Sequence, residues 1–96
     1  MAGYMIALVN NRNTDWLADY MANVPAIIAS FGGSYLGAST ALEQAEGTMP
    51  LPDQAAIFRF PSVAAIRQFL ACDAYAPYAA ARQAAAATEI LMFESE

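Results

Sequence analysis

The chain has 96 residues, 58% of them apolar and only 14% charged, with a formal net charge of −5 and no histidine; lysine is missing as well. That length allows one domain with a modest core, and an apolar share above that of ordinary soluble domains points to surface a monomer could not hide. The missing residue types exclude Ser-His-Asp and Cys-His centres, histidine-ligated haem or metal, Schiff-base chemistry and a P-loop lysine, while 4 basic against 9 acidic residues leave no basic patch for nucleic acid.

Tyr4–Val9 is a short apolar run closed by the polar stretch Asn10–Asn13, and it reads as a first strand. Met1 to Asn11 has no basic n-region, and Tyr4–Val9 is too short for the apolar core of an export signal. A cytoplasmic location is therefore expected, and the single cysteine, Cys72, fits a reducing compartment without a disulfide. Asn13 or Thr14 offers an N-cap oxygen, with Asp15 in the first turn of a helix. Leu17, Tyr20, Met21, Val24, Ile27, Ile28 and Phe31 recur at helical spacing on its apolar face. Pro25 is expected to kink this helix, and Gly32 to end it.

Tyr20 to Leu42 carries no charge, but the Gly32-Gly33 pair divides it, so no membrane span is expected. Tyr35–Glu46 reads as a second strand with a bulge at Gly37, and Gly47–Asp53, with its two prolines, as a loop. Gln54–Phe60 is a third strand. Pro61-Ser62 caps a helix over Val63–Ala71, with Val63, Ile66, Phe69 and Leu70 inward. Asp73–Ala76 is a turn, and Pro77 opens a last helix to about Ala87. Thr88–Glu94 is a fourth strand.

The order β-α-β-β-α-β predicts an α+β, ferredoxin-like protomer of a single domain, 1–96, with an antiparallel sheet covered by helices on one face. Tyr4–Val9 and Ile90–Phe93 are apolar at every position, so the other face also needs a cover. The simplest cover is a second copy, giving a two-fold dimeric α/β barrel.

The succession Tyr4…Val9, Val24-Pro25-Ala26-Ile27, Gly32-Gly33-x-Tyr35-Leu36, Glu46-Gly47, Phe60-Pro61-Ser62 and Asp73-Ala74-Tyr75…Arg82 resembles the domain of unknown function 1330 family within the dimeric α/β-barrel superfamily. The resemblance covers nearly the whole chain. It implies a ferredoxin-like homodimer, in a superfamily of cofactor-free monooxygenases, isomerases, cyclases, haem enzymes and ligand-binding modules. The chain departs from the family pattern at Ser34 and Ala38, where basic residues are frequent, at Thr48, where an aromatic is frequent, and at Arg59, where an acid is usual. A shift of positive charge from the second strand to the third means that the resemblance does not carry a shared substrate over to this chain.

Arg59 is the one charge within the third strand. Period-two alternation puts it with Ile57 on the face opposite Phe58 and Phe60. If the phenylalanines lie under the helices, Arg59 points into the dimer barrel and needs an anion there, from Glu43, Glu46 or Glu94 or from a ligand. Tyrosine, acid and arginine are the only groups left for proton handling and anion binding. Tyr20 lies on the apolar face of the first helix. Tyr35 starts the second strand beside the glycine pair, Tyr75 precedes the last helix, and Arg82 lies about two turns into it. The ligand-binding candidates are thus Arg59, Tyr35, Glu46, Tyr20, Tyr75 and Arg82, with no catalytic residue, metal or cofactor assigned. Two readings stay open: a homodimer that binds or converts a small organic metabolite without cofactor, as an isomerase, cyclase or monooxygenase-like protein would, and a non-catalytic binding or assembly module.

Overall fold

In a computed structural model, residues 1–95 are described. The elements run β1 (Gly3–Asn11), α1 (Leu17–Ser30), β2 (Ser34–Ser39), β3 (Gln54–Phe60), α2 (Val63–Ala71), α3 (Ala76–Ala85) and β4 (Ala86–Glu94). The strands form one sheet in the order β2-β3-β1-β4, and every neighbouring pair is antiparallel. This is the expected α+β, ferredoxin-like protomer, with α2 and α3 together filling the second crossover.

The two faces of the sheet follow from register. Met5 pairs with Phe58 and with Met92, and Gly3 with Phe60. Met5 and Phe60 are buried beneath the helices, where they join Val24, Ile28, Ile66, Phe69 and Tyr75 in one core cluster. Burying side chains of this size stabilises by about 1.5–3 kcal/mol each. The opposite face carries Tyr4, Ile6, Leu8, Ile57, Leu91 and Phe93 by the same alternation. No element among the described residues covers that face: Ile57, Leu91 and Phe93 are 43%, 56% and 51% exposed.

Local chemistry sets most boundaries as expected. Ser62 Oγ accepts from the Ala65 N–H at 3.1 Å, capping α2. Gly32, with φ 78°, takes the left-handed turn that ends α1. Gly33 admits a close approach: a Cβ there would lie 2.6 Å from both Ile28 Cγ2 and Phe60 Cε2, so any larger residue would push α1 off the sheet.

Other boundaries differ from expectation. α1 begins only at Leu17, because Asn13 Oδ1 accepts from the Asp15 N–H at 3.2 Å and the Thr14 carbonyl from the Leu17 N–H at 3.0 Å. These bonds form a turn ahead of the helix and leave Trp16 at the cap position without a side-chain cap bond. The helix carries Pro25 inside it, as the sequence predicts. Pro25 and the residue four before it, Met21, are both exposed, so the carbonyl freed by the missing N–H can bond water. β2 stops at Ser39 instead of Glu46. It is an edge strand, and Ser39 Oγ turns the chain by accepting from the Ala41 N–H at 3.0 Å. α3 stops at Ala85 because Arg12 holds its end: the Arg12 N–H donates to the Ala85 carbonyl at 2.7 Å, and the guanidinium to the Ala84 carbonyl at 3.2 Å. Ala86 then pairs directly with Asn11.

Candidate functional site

Alanine sets the site. Ala38 of β2 pairs with Ala56 of β3, and Ala56 with Ala7 of β1. These three in-register residues form a row of minimal side chains on the helix-facing side of the sheet, extended by Ile90 of β4 opposite Ala7. α1 bridges over this row with Trp16, Tyr20, Val24 and Ile28 pointing down. The space left between is a cavity of about 540 Å³, within the size range of small-molecule sites. Its rim, on the β2 side, holds the exposed Met21, Pro25 and Tyr35. Its walls are almost wholly apolar; Tyr20, Tyr75 and Arg82 gather at the buried end, and Ser34, Tyr35 and Gln54 also line it.

That end is built from α1 and α3. Tyr75, just before α3, is buried against Phe69, with ring centroids 4.3 Å apart. Its hydroxyl lies 2.8 Å from the Tyr20 hydroxyl. Arg82 lies in the last turn of α3, and its side chain runs back toward the helix start, as helical side chains do. Its guanidinium donates to the Tyr75 hydroxyl at 3.5 Å. Trp16 stands edge-on to Tyr20 at 5.1 Å and is fixed by donating its indole N–H to Asn11 Oδ1 at 3.1 Å.

Arg82 is only 6% exposed and is the one buried charged side chain among the described residues. The hydrogen bond to Tyr75 is the single one found for its side chain there, and it sits at the outer limit of bonding distance. No ion pair with a carboxylate is found among the described residues. Burying such a charge without a partner costs several kcal/mol. The guanidinium is directed toward the start of α3, whose positive end offers it no compensation.

Burial, above all, and then the neighbouring Tyr75 push the Tyr20 hydroxyl up from its ordinary pKa of 10.0, against a smaller opposing pull from Arg82. Tyr20 is therefore a neutral donor and acceptor at physiological pH. The folded state keeps a proton that the unfolded chain releases near pH 10, so this contribution to stability is whole below that pH and is lost as pH rises beyond it. Thermal melts of the parent and Tyr20→Phe are expected to draw apart with pH: from about pH 9 to about pH 11, the parent loses melting temperature faster than the variant. A gap that stays constant across that range would contradict the coupling.

Of the residues expected from sequence, Tyr20, Tyr35, Tyr75 and Arg82 line the cavity. Arg59 and Glu46 do not. Arg59 is opposite Tyr4 and Ser34 in register, on the uncovered face as the alternation predicts, so the sheet itself separates it from the cavity. Glu94 is no partner for it: Glu94 lies on the other face, opposite Gly3, and its Oε1 accepts from the Val63 N–H at 3.2 Å. Glu46 is exposed in the irregular segment after β2, where its carbonyl accepts from the Gln44 side-chain amide at 2.8 Å. Cys72 is a free, half-buried thiol. Among the described residues no group of three or more acids and cysteines could hold a metal ion, and no helix is long and apolar enough to cross a membrane.

The fold and the family motifs now meet in one place, since Val24-Pro25, Gly33, Tyr35, Tyr75 and Arg82 all border the same cavity. The DUF1330 family, described as a domain of unknown function, matches over residues 2–95. The chain belongs to the DUF1330 family. A protein of unknown function from Rhodopseudomonas palustris, RPA0582, superposes with a TM-score of 0.82 at 20% identity, over 99% of this chain and 82% of that one. SnoaB, a cofactor-independent oxygenase from Streptomyces nogalater, superposes with a TM-score of 0.65 at 16% identity, over 99% and 93% of the two chains. A dimeric ferredoxin-like protein of unknown function from Thermobifida fusca gives 0.57 at 15%, over 99% and 92%. At such identities the likeness is one of fold. No curated protein matches the sequence.

Proposed function

We propose that this DUF1330 protein is a homodimer that binds, or converts without a cofactor, a small and largely apolar organic molecule in the cavity beneath α1. The observation that carries this reading is the row Ala38–Ala56–Ala7 under α1. It leaves about 540 Å³ of apolar space, with hydroxyl and guanidinium donors at its buried end. A domain of this size gains nothing in stability from such a void, since protein interiors are otherwise close-packed. Cofactor-independent chemistry on this fold has a precedent in SnoaB. Binding is favoured over proton abstraction here, because burial holds Tyr20 protonated and no histidine is available. The dimer is supported by the uncovered apolar sheet face and by the dimeric fold neighbour from Thermobifida fusca. The free thiol of Cys72 fits action in a reducing compartment such as the cytoplasm.

A neutral fluorescent probe, aminoanthracene, tests the cavity. It is expected to bind the parent and brighten. Ala56→Phe, which fills the middle of the floor, is expected to abolish that binding while melting at or above the parent temperature, because it replaces void with packed side chain. Unchanged probe binding to Ala56→Phe would mean that the probe sits elsewhere and would overturn the reading.

A further inference from the structure

The Tyr20, Tyr75 and Arg82 cluster can be counted proton by proton. The two hydroxyls share one hydrogen bond of 2.8 Å, in which either can donate. If Tyr75 donates to Tyr20, the Tyr20 proton is left over. If Tyr20 donates to Tyr75, the Tyr75 proton is left over. Both arrangements leave one O–H donor unused beside a guanidinium with several N–H groups and a single long bond. Both tyrosines and Arg82 line the cavity. The cluster therefore offers donors and a positive charge and no negative charge of its own. Its missing complement is an acceptor that carries charge.

The walls define the rest of the ligand. Val24, Ile28, Met5 and Phe58 enclose the space beside the cluster, and the alanine row gives it a flat floor. A flat apolar body with one charged acceptor at its end fits this shape.

We infer that the cavity selects an aromatic oxyanion, a carboxylate or an ionised phenol or enol, whose charged oxygen takes a hydrogen bond from Arg82 and from the spare tyrosine hydroxyl. This rests on the cavity reading above and names the ligand class for it. The ion supplies the counter-charge that Arg82 lacks among the described residues, so binding and folding reinforce each other. Tyr20 and Tyr75 act as donors here, with no proton transfer required of either.

Calorimetry with naphthoate and with naphthamide, its neutral analogue of the same shape, separates the two levels of the reading. Naphthoate is expected to bind the parent about 10- to 100-fold more tightly than naphthamide, the range of a charge-assisted hydrogen bond. In Arg82→Met the naphthoate preference is expected to disappear while naphthamide affinity holds, and the ligand-free variant is expected to melt no lower than the parent, since an uncompensated charge has gone. Arg82→Lys should recover part of the preference. Nitrophenol extends the test to the second source of charge: its bound fraction should show the yellow phenolate band in the parent and lose it in Arg82→Met. Equal affinity of the parent for naphthoate and naphthamide would overturn the oxyanion assignment while leaving the cavity reading intact. Failure of both to bind would overturn both. A preference for naphthoate that survives in Arg82→Met would move the anion site away from this cluster and overturn the assignment.

Discussion

Phe69→Ala is expected to lower the melting temperature by roughly 12–40 °C. Phe69 is 0% exposed and stands at the centre of the aromatic core, with Phe60, Tyr75 and Phe31 at centroid distances of 5.6, 4.3 and 6.3 Å. Truncating such a residue costs about 3–5 kcal/mol, because the surroundings close only part of the hole. A 96-residue domain has roughly 5–14 kcal/mol in total, and each kcal/mol is worth about 4–8 °C at this size. Phe69 does not itself border the cavity beneath α1, so the loss reports chiefly on the core. Melts of parent and variant at one fixed protein concentration measure it. A fall of less than about 5 °C would show that the α2 face packs more loosely than its burial implies.

Phe69 was legible in the sequence for a simple reason. Pro61-Ser62 marks the start of α2, and Ile66 and Phe69 follow at a helical step. β3 was equally plain, because turn-forming residues bracket its apolar run. Even the faces of β3 followed from alternation, with Phe58 and Phe60 under the helices and Arg59 on the other side. The misread boundaries share a cause. Asn13, Thr14 and Ser39 can each bond to neighbouring backbone in more than one way, and only the tertiary structure selects which. Asn13 became an in-chain turn instead of a cap, and Ser39 ended a strand instead of continuing one.

The candidate site divides the same way. Tyr20 was visible from helical periodicity, and Tyr75 and Arg82 stood out on the family motifs, one just before the last helix and one about two turns into it. What the sequence hides is why these residues face a void. Alanine carries no signal by itself in a chain this rich in it. Ala7, Ala38 and Ala56 come from three strands, and their coincidence is a property of register, which depends on the bulge between Tyr35 and Gly37. The same register removes Arg59 from the site. Its sequence context marks it as unusual, but the sheet lies between it and the cavity.

Leu91→Glu is expected to turn the proposed homodimer into a monomer. Ile57, Ile6 and Leu91 are neighbours in register across β3, β1 and β4, forming an apolar bar across the middle of the uncovered face. Tyr4 and Phe93 stack beside it at 5.6 Å. The charged residues of that face stand toward its ends: Arg59 opposite Tyr4, and Glu89 opposite Leu8. An apolar centre with charges near its margins is the anatomy of a protein interface. A self-complementary face meets its own copy about a two-fold axis, so one substitution acts twice in each dimer. A carboxylate at Leu91 would be buried without a partner on association. A penalty of about 3 kcal/mol for each of the two copies, at the modest end for a buried charge, weakens the dimer by about four orders of magnitude. In the isolated protomer Leu91 is 56% exposed, so the variant keeps its own fold, and its circular dichroism should match the parent. Ile57→Asp, at the other end of the bar, provides an independent second variant. Sedimentation equilibrium distinguishes the outcomes. The parent should sediment at about twice 10.2 kDa, and both variants at the single mass over the same concentrations. A parent that sediments as the protomer would overturn the dimer, and variants that stay dimeric would move its interface off this face.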